Sequence, residues 1–390
     1  MESNFSFMTH KSGKFSFSSA HDVELVRKKT WEAESLFRSF IELPILPKLA
    51  SRLDEETIIK SVHGTAAIEG NPLSEDEVGE IIKSGKAETQ FEESKQRSLQ
   101  EIINLKFAYV ILTDAKAGQD RFEITEDFIR RINSLITANI NYELHEPGKY
   151  RNTPVKVGHS NYGGVYSPPK CLKDIKDLMN FFVSWINAEE IMNLGPMVRA
   201  ALAHYHFATI HPFGNGNGRT ARLLEAAILS AGGMLYAPKM LSNYYYRNME
   251  DYFRSFRLVQ KSRISDMTPF LIFYLNGMLE SLRAIKESVL SDIRILALKD
   301  YCDTLRRDKI LTKRQRDFLK LLLNMHKKVI FNAKNLPATS PFDLLYRQVT
   351  YNTAKNDINR LLGLNLIEPV EHGYRINLYA LDGDRRPNKP

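Results

Sequence analysis

Apolar residues recur at spacings of three and four through LVRKKTWEAESLFRSFI, EETIIKSVHGTAAIEG, EDEVGEIIKS, LQEIINLKFAYVIL and EDFIRRINSLITANI. That period constrains the fold most, because a helix gathers such positions on one face whereas a strand alternates every second residue. The N-terminal body is therefore predicted to be all-α. Ser74, with Glu77 three residues on, reads as a capping box that starts a helix after the Gly70-Asn71-Pro72 stop. Glu69 then ends the preceding helix.

The segment 148–169, GKYRNTPVKVGHSNYGGVYSPP, breaks this pattern with alternating Val155 and Val157, a Gly163-Gly164 turn, Val165 and a double proline. It reads as a β-hairpin projecting from helices. Helices resume at LKDIKDLMNFFVSWINA and PMVRAALAHYHFATI, and NGRTARLLEAAILSA runs to a Gly232-Gly233 stop. A further long helix is predicted over roughly 270–298.

With 43% hydrophobic and 26% charged residues in 390, the chain suits a soluble protein of two or three domains. No apolar run is long enough to span a bilayer, and the first twenty residues lack the core of a secretory signal. The cytoplasm is the expected location, with no membrane partner and with export from a bacterium left open. Cys171 and Cys302 form no CxxC pair, so neither a zinc knuckle nor a disulfide framework is indicated.

Charge is concentrated at one end: residues 301–390 carry 17 Lys+Arg against 9 Asp+Glu, an excess equal to the +8 of the whole chain. There RQRDFLKLLLNMHKK, FDLLYRQ and TYNTAKNDINRLLGLN precede LIEPVEHGYRINLYAL, a hairpin with His372-Gly373 at its tip. Helices followed by a short hairpin resemble a winged helix-turn-helix, with Lys355, Asn356, Asn359 and Arg360 on its recognition helix. Double-stranded DNA is one partner this implies, and a dimerisation or target-docking module is the other reading. The tail after Leu381 is expected to be disordered.

Chemistry concentrates in HPFGNGNGRTAR, from His211 to Arg222. Three glycines opening a helix let the backbone turn tightly and present N–H groups at the positive end of a helix dipole, a recipe for binding phosphate. Arg219 and Arg222, one turn apart, add two guanidinium forks. His211 at the rim is a candidate general base. Taken alone, the loop also suits an ordinary helix-helix turn around a core histidine. A dinucleotide fingerprint is excluded, since the glycines follow a helix and no βαβ unit surrounds them.

The stretch resembles the Fic signature HPFxxGNGRxxR at His211, Pro212, Phe213, Gly216, Asn217, Gly218, Arg219 and Arg222, and the likeness extends over about residues 115 to 285. The resemblance implies a protein adenylyltransferase moving AMP from ATP to a Ser, Thr or Tyr hydroxyl. His211 would be the base, Gly216, Asn217 and Gly218 would hold the α-phosphate, Arg219 the neighbouring phosphates and Arg222 the γ-phosphate. It further implies magnesium, which relatives hold with Asp or Glu at the position of Asn215; an amide is a weaker ligand for this hard cation.

TAAIEGN, from Thr65 to Asn71, resembles the family's inhibitory motif [S/T]xxxE[G/N], which implies that Glu69 pairs with Arg222 and blocks the γ-phosphate. Independently, a carboxylate in a last helical turn faces the negative end of the dipole and needs a cation. Reverse hydrolysis, with Glu69 positioning water, is the accompanying expectation. The 152–167 hairpin would be the flap that docks a target protein as an added strand. Tyr252, Phe253 and Gln260 in MEDYFRSFRLVQ match the adenine side, with core packing as the alternative. His204 and His206 do not share a helical face and are read as packing residues, or as residues that support the site from behind, rather than zinc ligands.

The expected layout is an N-terminal helical region over 1–114 with the inhibitory helix, a Fic core over 115–285, a linker helix over 286–308 and a winged domain over 309–384. A homodimer is a further implication of the resemblance. The rival function is a DNA-binding transcriptional regulator whose Fic body senses nucleotide.

Overall fold

The computed structural model describes residues 5–84, 93–114, 122–159, 164–325 and 329–382. It is mainly helical and divides into two compact units, Met1–Ile285 and Lys286–Pro390. The first opens with β1 (Phe5–Met8) and β2 (Lys14–Phe17). Then come α1 (Val23–Ile41), α2 (Pro47–Ile68), α3 (Glu75–Ser84), α4 (Glu93–Asp114) and α5 (Glu126–Thr137). A second hairpin, β3 (Val157–His159) and β4 (Gly164–Tyr166), precedes α6 (Leu172–Ile186), α7 (Glu189–Met192), α8 (Gly195–Ile210) and α9 (Asn217–Ala231). The unit closes with α10 (Leu241–Arg247), α11 (Met249–Lys261) and the start of α12 (Thr268–Arg307).

The helix starts follow from their caps. Asp22 accepts from the Leu25 N–H at 2.9 Å and Thr125 from the Phe128 N–H at 3.1 Å, while Ser74 and Glu77 exchange side-chain to backbone bonds at 3.3 and 2.8 Å. Such caps satisfy N–H groups that have no partner inside the helix. The β1–β2 hairpin departs from the all-α expectation for the N-terminus. Its signal was the alternation in FSFM and KFSF about SGK. Phe17 anchors it, wholly buried among Phe181, Trp185 and His206.

The core of this unit is the packed pair α8 and α9, each buried along nearly its whole length. A helix that is buried all round must sit inside other elements rather than on them. Helix α2 packs closely on α10: a β-carbon on Gly64 would lie 2.7 Å from the Asn243 nitrogen and from the Ser242 carbonyl oxygen. Only glycine permits that approach, and it sets where the end of α2 lies. The β3–β4 register pairs Val157 with Tyr166 and His159 with Gly164. Gly163, half of the expected turn, lies outside the described residues.

The second unit begins with residues of α12, which ends at Arg307. That helix is followed by α13 (Lys313–Asn324), α14 (Asp343–Tyr346), α15 (Tyr351–Gly363) and the antiparallel pair β5 (Ile367–Val370) and β6 (Gly373–Ile376). Phe318 lies at the centre of this unit's own core, edge-on to Phe331, Phe342 and Tyr346. Buried Asp357 accepts from Arg314 Nε and Gln315 Nε2, both at 2.8 Å, and from the Tyr346 hydroxyl at 3.2 Å. That shared carboxylate ties α13 and α14 to α15. Lys355, Asn356, Asn359 and Arg360 are all exposed on α15. The tail from 383 lies outside the described residues, and among those described no helix is long and apolar enough to cross a membrane.

Candidate functional site

The loop between α8 and α9 is held from several sides. His211 ends α8 in the left-handed conformation, with φ 51°. Arg151 donates from Nε to the His211 carbonyl at 2.8 Å and from its backbone N–H to the Pro212 carbonyl at 2.9 Å. Phe213 is fully buried. Both polar atoms of the Asn217 amide go to the Phe213 backbone, accepting from its N–H and donating to its carbonyl, each at 2.9 Å. Gly216, at φ 77°, precedes α9, which starts without a side-chain cap. Its first N–H groups therefore remain available to an anion.

A cavity of about 280 Å³ opens over this loop. His211, Gly218 and Arg222 line it from the loop and α9, and Glu69 from the end of α2. Val157, Gly158, Gly164 and Tyr166 contribute from the β3–β4 hairpin, and Tyr252, Phe253 and Gln260 from α11. The structure thus brings together seven of the residues singled out in the sequence. Asn215, Gly216, Asn217 and Arg219 are not among the lining residues.

His211 Nδ1 lies 3.3 Å from the Ala208 carbonyl oxygen, which can only accept, so Nδ1 carries the proton and Nε2 keeps its lone pair. Burial pushes the imidazole pKa down, to about 4, with the nearby Arg151 charge adding to the effect and Glu69 opposing it. The ring is therefore neutral at physiological pH, the state a proton acceptor needs.

Arg222, 2% exposed, is gripped by α2. Its Nε donates to Thr65 Oγ1 at 2.6 Å, and its Nη2 to the Thr65 carbonyl at 3.2 Å and to Glu69 Oε1 at 2.6 Å. Burial raises the Glu69 carboxyl pKa, but the charges of Arg222 and Arg219 outweigh it and hold the group below its usual range. Glu69 is thus ionised at neutral pH. Thr65 and Glu69 lie one helical turn apart, which explains why one arginine meets both.

Arg219 takes a different direction. Its Nη2 donates to Asn215 Oδ1 at 2.6 Å and its Nη1 to the Tyr142 hydroxyl at 3.0 Å, with Glu101 Oε1 at 3.4 Å. Glu101 is itself engaged by the Tyr142 hydroxyl at 2.6 Å and the Asn71 amide at 2.9 Å. This donor set does not fit a protein-held magnesium: the oxygen of Asn215 is neutral and already accepts from a cation. Among the described residues, no group of three or more His, Cys, Asp or Glu could hold a metal.

Sequence reasoning missed Arg151, Tyr142 and Glu101. Glu101 lies in an ordinary-looking helical run, and nothing local marks a carboxylate that tertiary packing buries. His206 Nε2 meets the Ser18 carbonyl at 2.9 Å, and His204 lies between Glu225 and Tyr252.

Comparisons with known proteins find similarity over the part of the chain that carries this loop. The Fic/DOC family model matches residues 123–229. The chain is 31% identical over 220 residues, 56% of its length, to the protein adenylyltransferase fic-1 of Caenorhabditis elegans. It is 28% identical over 222 residues to the protein adenylyltransferase Fic of Aedes aegypti. These matches span only 39% and 40% of those relatives' own lengths. Among solved structures, Fic-1 (aa134 - 508) from C. elegans superposes with a TM-score of 0.54 at 25% identity, covering 67% of this chain and 72% of the other. A Fic family protein from Desulfovibrio desulfuricans G20 shares the fold with a TM-score of 0.55 at 20% identity, covering 91% of this chain and 97% of the other.

Proposed function

From the match of residues 123–229 to the Fic/DOC family, we propose that the chain is a protein adenylyltransferase that moves AMP from ATP onto a Ser, Thr or Tyr hydroxyl, restrained by Glu69. The observation that carries the reading is one cavity lined by a neutral histidine, a buried arginine and a glycine-opened helix N-terminus. The relatives' printed name, protein adenylyltransferase, points the same way.

In this reading the target hydroxyl gives its proton to His211 Nε2 as its oxygen attacks the α-phosphorus of ATP. The bond from that phosphorus to the bridging oxygen breaks and pyrophosphate leaves. The first N–H groups of α9 take up charge on the transferred phosphoryl, the main catalytic term for such a reaction. Asn217 contributes through its backbone, since its amide braces Phe213. Arg222 takes the γ-phosphate once Glu69 has left it, and Arg219 serves the neighbouring phosphates after turning from Asn215. Magnesium belongs to this reading as a companion of the ATP phosphates, because Asn215 brings no charge to hold it. The β3–β4 hairpin, with both strands at the cavity, aligns the target backbone. In reverse, the Glu69 carboxylate at the same cavity positions water for de-AMPylation.

For the second unit we propose a winged-helix module. Its helices followed by a hairpin, and the four exposed polar residues of α15, favour duplex DNA as partner. The rival reading, a DNA-binding regulator whose Fic body senses nucleotide, shares these features. Intact-mass measurement with ATP and magnesium, wild type beside Glu69→Gly, separates the two. A gain of one AMP on the variant supports the transferase. Sequence-selective duplex binding without AMP incorporation into any protein overturns it in favour of the regulator.

A further inference from the structure

Behind Arg222 lies a buried polar chain that the transfer chemistry leaves unused. Glu225, one helical turn after Arg222 on α9, is 1% exposed, and His204 on α8 is fully buried. Glu225 Oε2 lies 2.5 Å from His204 Nδ1 and accepts from the Tyr245 hydroxyl at 2.9 Å. On the far side of the imidazole, His204 Nε2 is 2.8 Å from the Tyr252 hydroxyl. Tyr252 and Tyr245 stack with centroids 5.0 Å apart and planes 11° from parallel. The Tyr252 hydroxyl lies beside the Arg222 guanidinium, and both residues line the cavity.

The direction of each bond follows from what each group can do. A carboxylate only accepts, so a neutral His204 places its single proton on Nδ1, toward Glu225. Its Nε2 then holds a lone pair and must receive the Tyr252 O–H. That turns the phenol's own lone pairs toward Arg222, which only donates. Without the histidine acceptor, the hydroxyl proton would be free to turn to the guanidinium, donor against donor. Burial pushes the Tyr252 phenol up, to about 12, so it keeps its proton.

We propose that Glu225 and His204 are positioning residues that fix the Tyr252 hydroxyl as a permanent acceptor for Arg222, holding the guanidinium at the cavity after Glu69 has left. Their buried bonds do not depend on Glu69. The chain would therefore keep the γ-phosphate site formed in the released state, with specificity for a nucleoside triphosphate over the diphosphate. The inference rests on the reading of Arg222 as the γ-phosphate residue.

The test uses the full chain carrying Glu69→Gly and measures dissociation constants for ATP, ADP and AMP by calorimetry. Tyr252→Phe keeps the ring stack and removes only the hydroxyl. It is expected to weaken ATP about tenfold, the loss typical of a hydrogen bond to a charged group, and to leave ADP and AMP unchanged. His204→Gln, whose side-chain oxygen can stand where Nε2 stood, should keep the ATP preference. His204→Asn, too short to reach Tyr252, should lose it. Equal weakening of all three nucleotides by Tyr252→Phe, or no change in any, overturns the proposal. Arg222→Lys in the same background keeps the premise separate. If it spares the ATP preference, the γ-phosphate reading itself fails; if it removes the preference while Tyr252→Phe does not, only the relay fails.

Discussion

Glu69 occupies the space that a side chain on residue 218 would need: a β-carbon built on Gly218 runs into Glu69 Oε1, with Arg222 Nη1 also close. The signature glycine and the carboxylate at the end of α2 are therefore matched to each other. Glycine at 218 leaves the room that the Glu69–Arg222 pair occupies.

Replacing Glu69 by Gly is expected to raise AMP transfer or self-modification, because Arg222 becomes available. Adding His211→Ala should lower the gained rate by about two orders of magnitude or more, the usual worth of a positioned general base. Incorporation of α-labelled ATP measures both, and unchanged labelling in the double variant would remove His211 from the role of base.

Acid should act through the histidines. The pKa values of His206 and His211 are both held near 4 by burial, against about 6.5 in an unfolded chain. Between those values the unfolded state binds protons that the folded state does not, so stability is full above the window and falls as pH drops through it. Melting temperature followed from pH 7 to 4 should decline, and His206→Gln should flatten the slope. Transfer by the Glu69→Gly variant should likewise hold its rate from pH 7 to 6, where an ordinary histidine base would lose half or more. A rate that falls with an apparent pKa near 6.5 would contradict the buried, neutral His211.

Asn215→Asp should place a charged oxygen beside Arg219. The expected outcome is half-maximal transfer at several-fold lower magnesium, read from a titration, since a carboxylate is the stronger ligand for a hard cation. A curve that superposes on the parent would show that residue 215 is not at the metal.

In the second unit, charge reversal of Lys355 and Arg360 to Glu is expected to weaken any duplex binding and reduce its salt dependence, as each lost phosphate contact lowers the slope by about one. Both side chains are exposed, so the melting temperature should not move. An affinity that ignores salt across a broad pool of duplexes would leave docking or dimerisation as the role of this unit.

The helices were legible because their apolar faces repeat at the helical period; the loop from His211 to Arg222 stood out through its match to the Fic signature, since its glycines taken alone also suit a helix-helix turn. What the sequence hid is contact made across the fold. Glu101 and Glu225 are carboxylates in helical runs, and such groups normally face water, yet Tyr142 and His204, distant in sequence, meet them in the interior. The divergence of Arg219 from Arg222 was equally invisible, since helical spacing alone puts both on one side. Its partners Asn215, Tyr142 and Glu101 draw Arg219 away from the residues that line the cavity.

The close seat of Gly64 on α10 bears on speed. Five residues after that contact comes Glu69, and two residues later Asn71 is bonded to the Ser98 carbonyl and Glu101 on α4. With the chain pinned on both sides, Glu69 can leave Arg222 by rotating its own side chain, without the microseconds to milliseconds a swinging helix takes. On the proposed reading the brake re-equilibrates faster than any nucleotide binds or departs. A stopped-flow trace of ATP binding to the wild type should then show a single phase with no lag, so that ATP concentration, rather than a slow opening step, governs how often the site is armed.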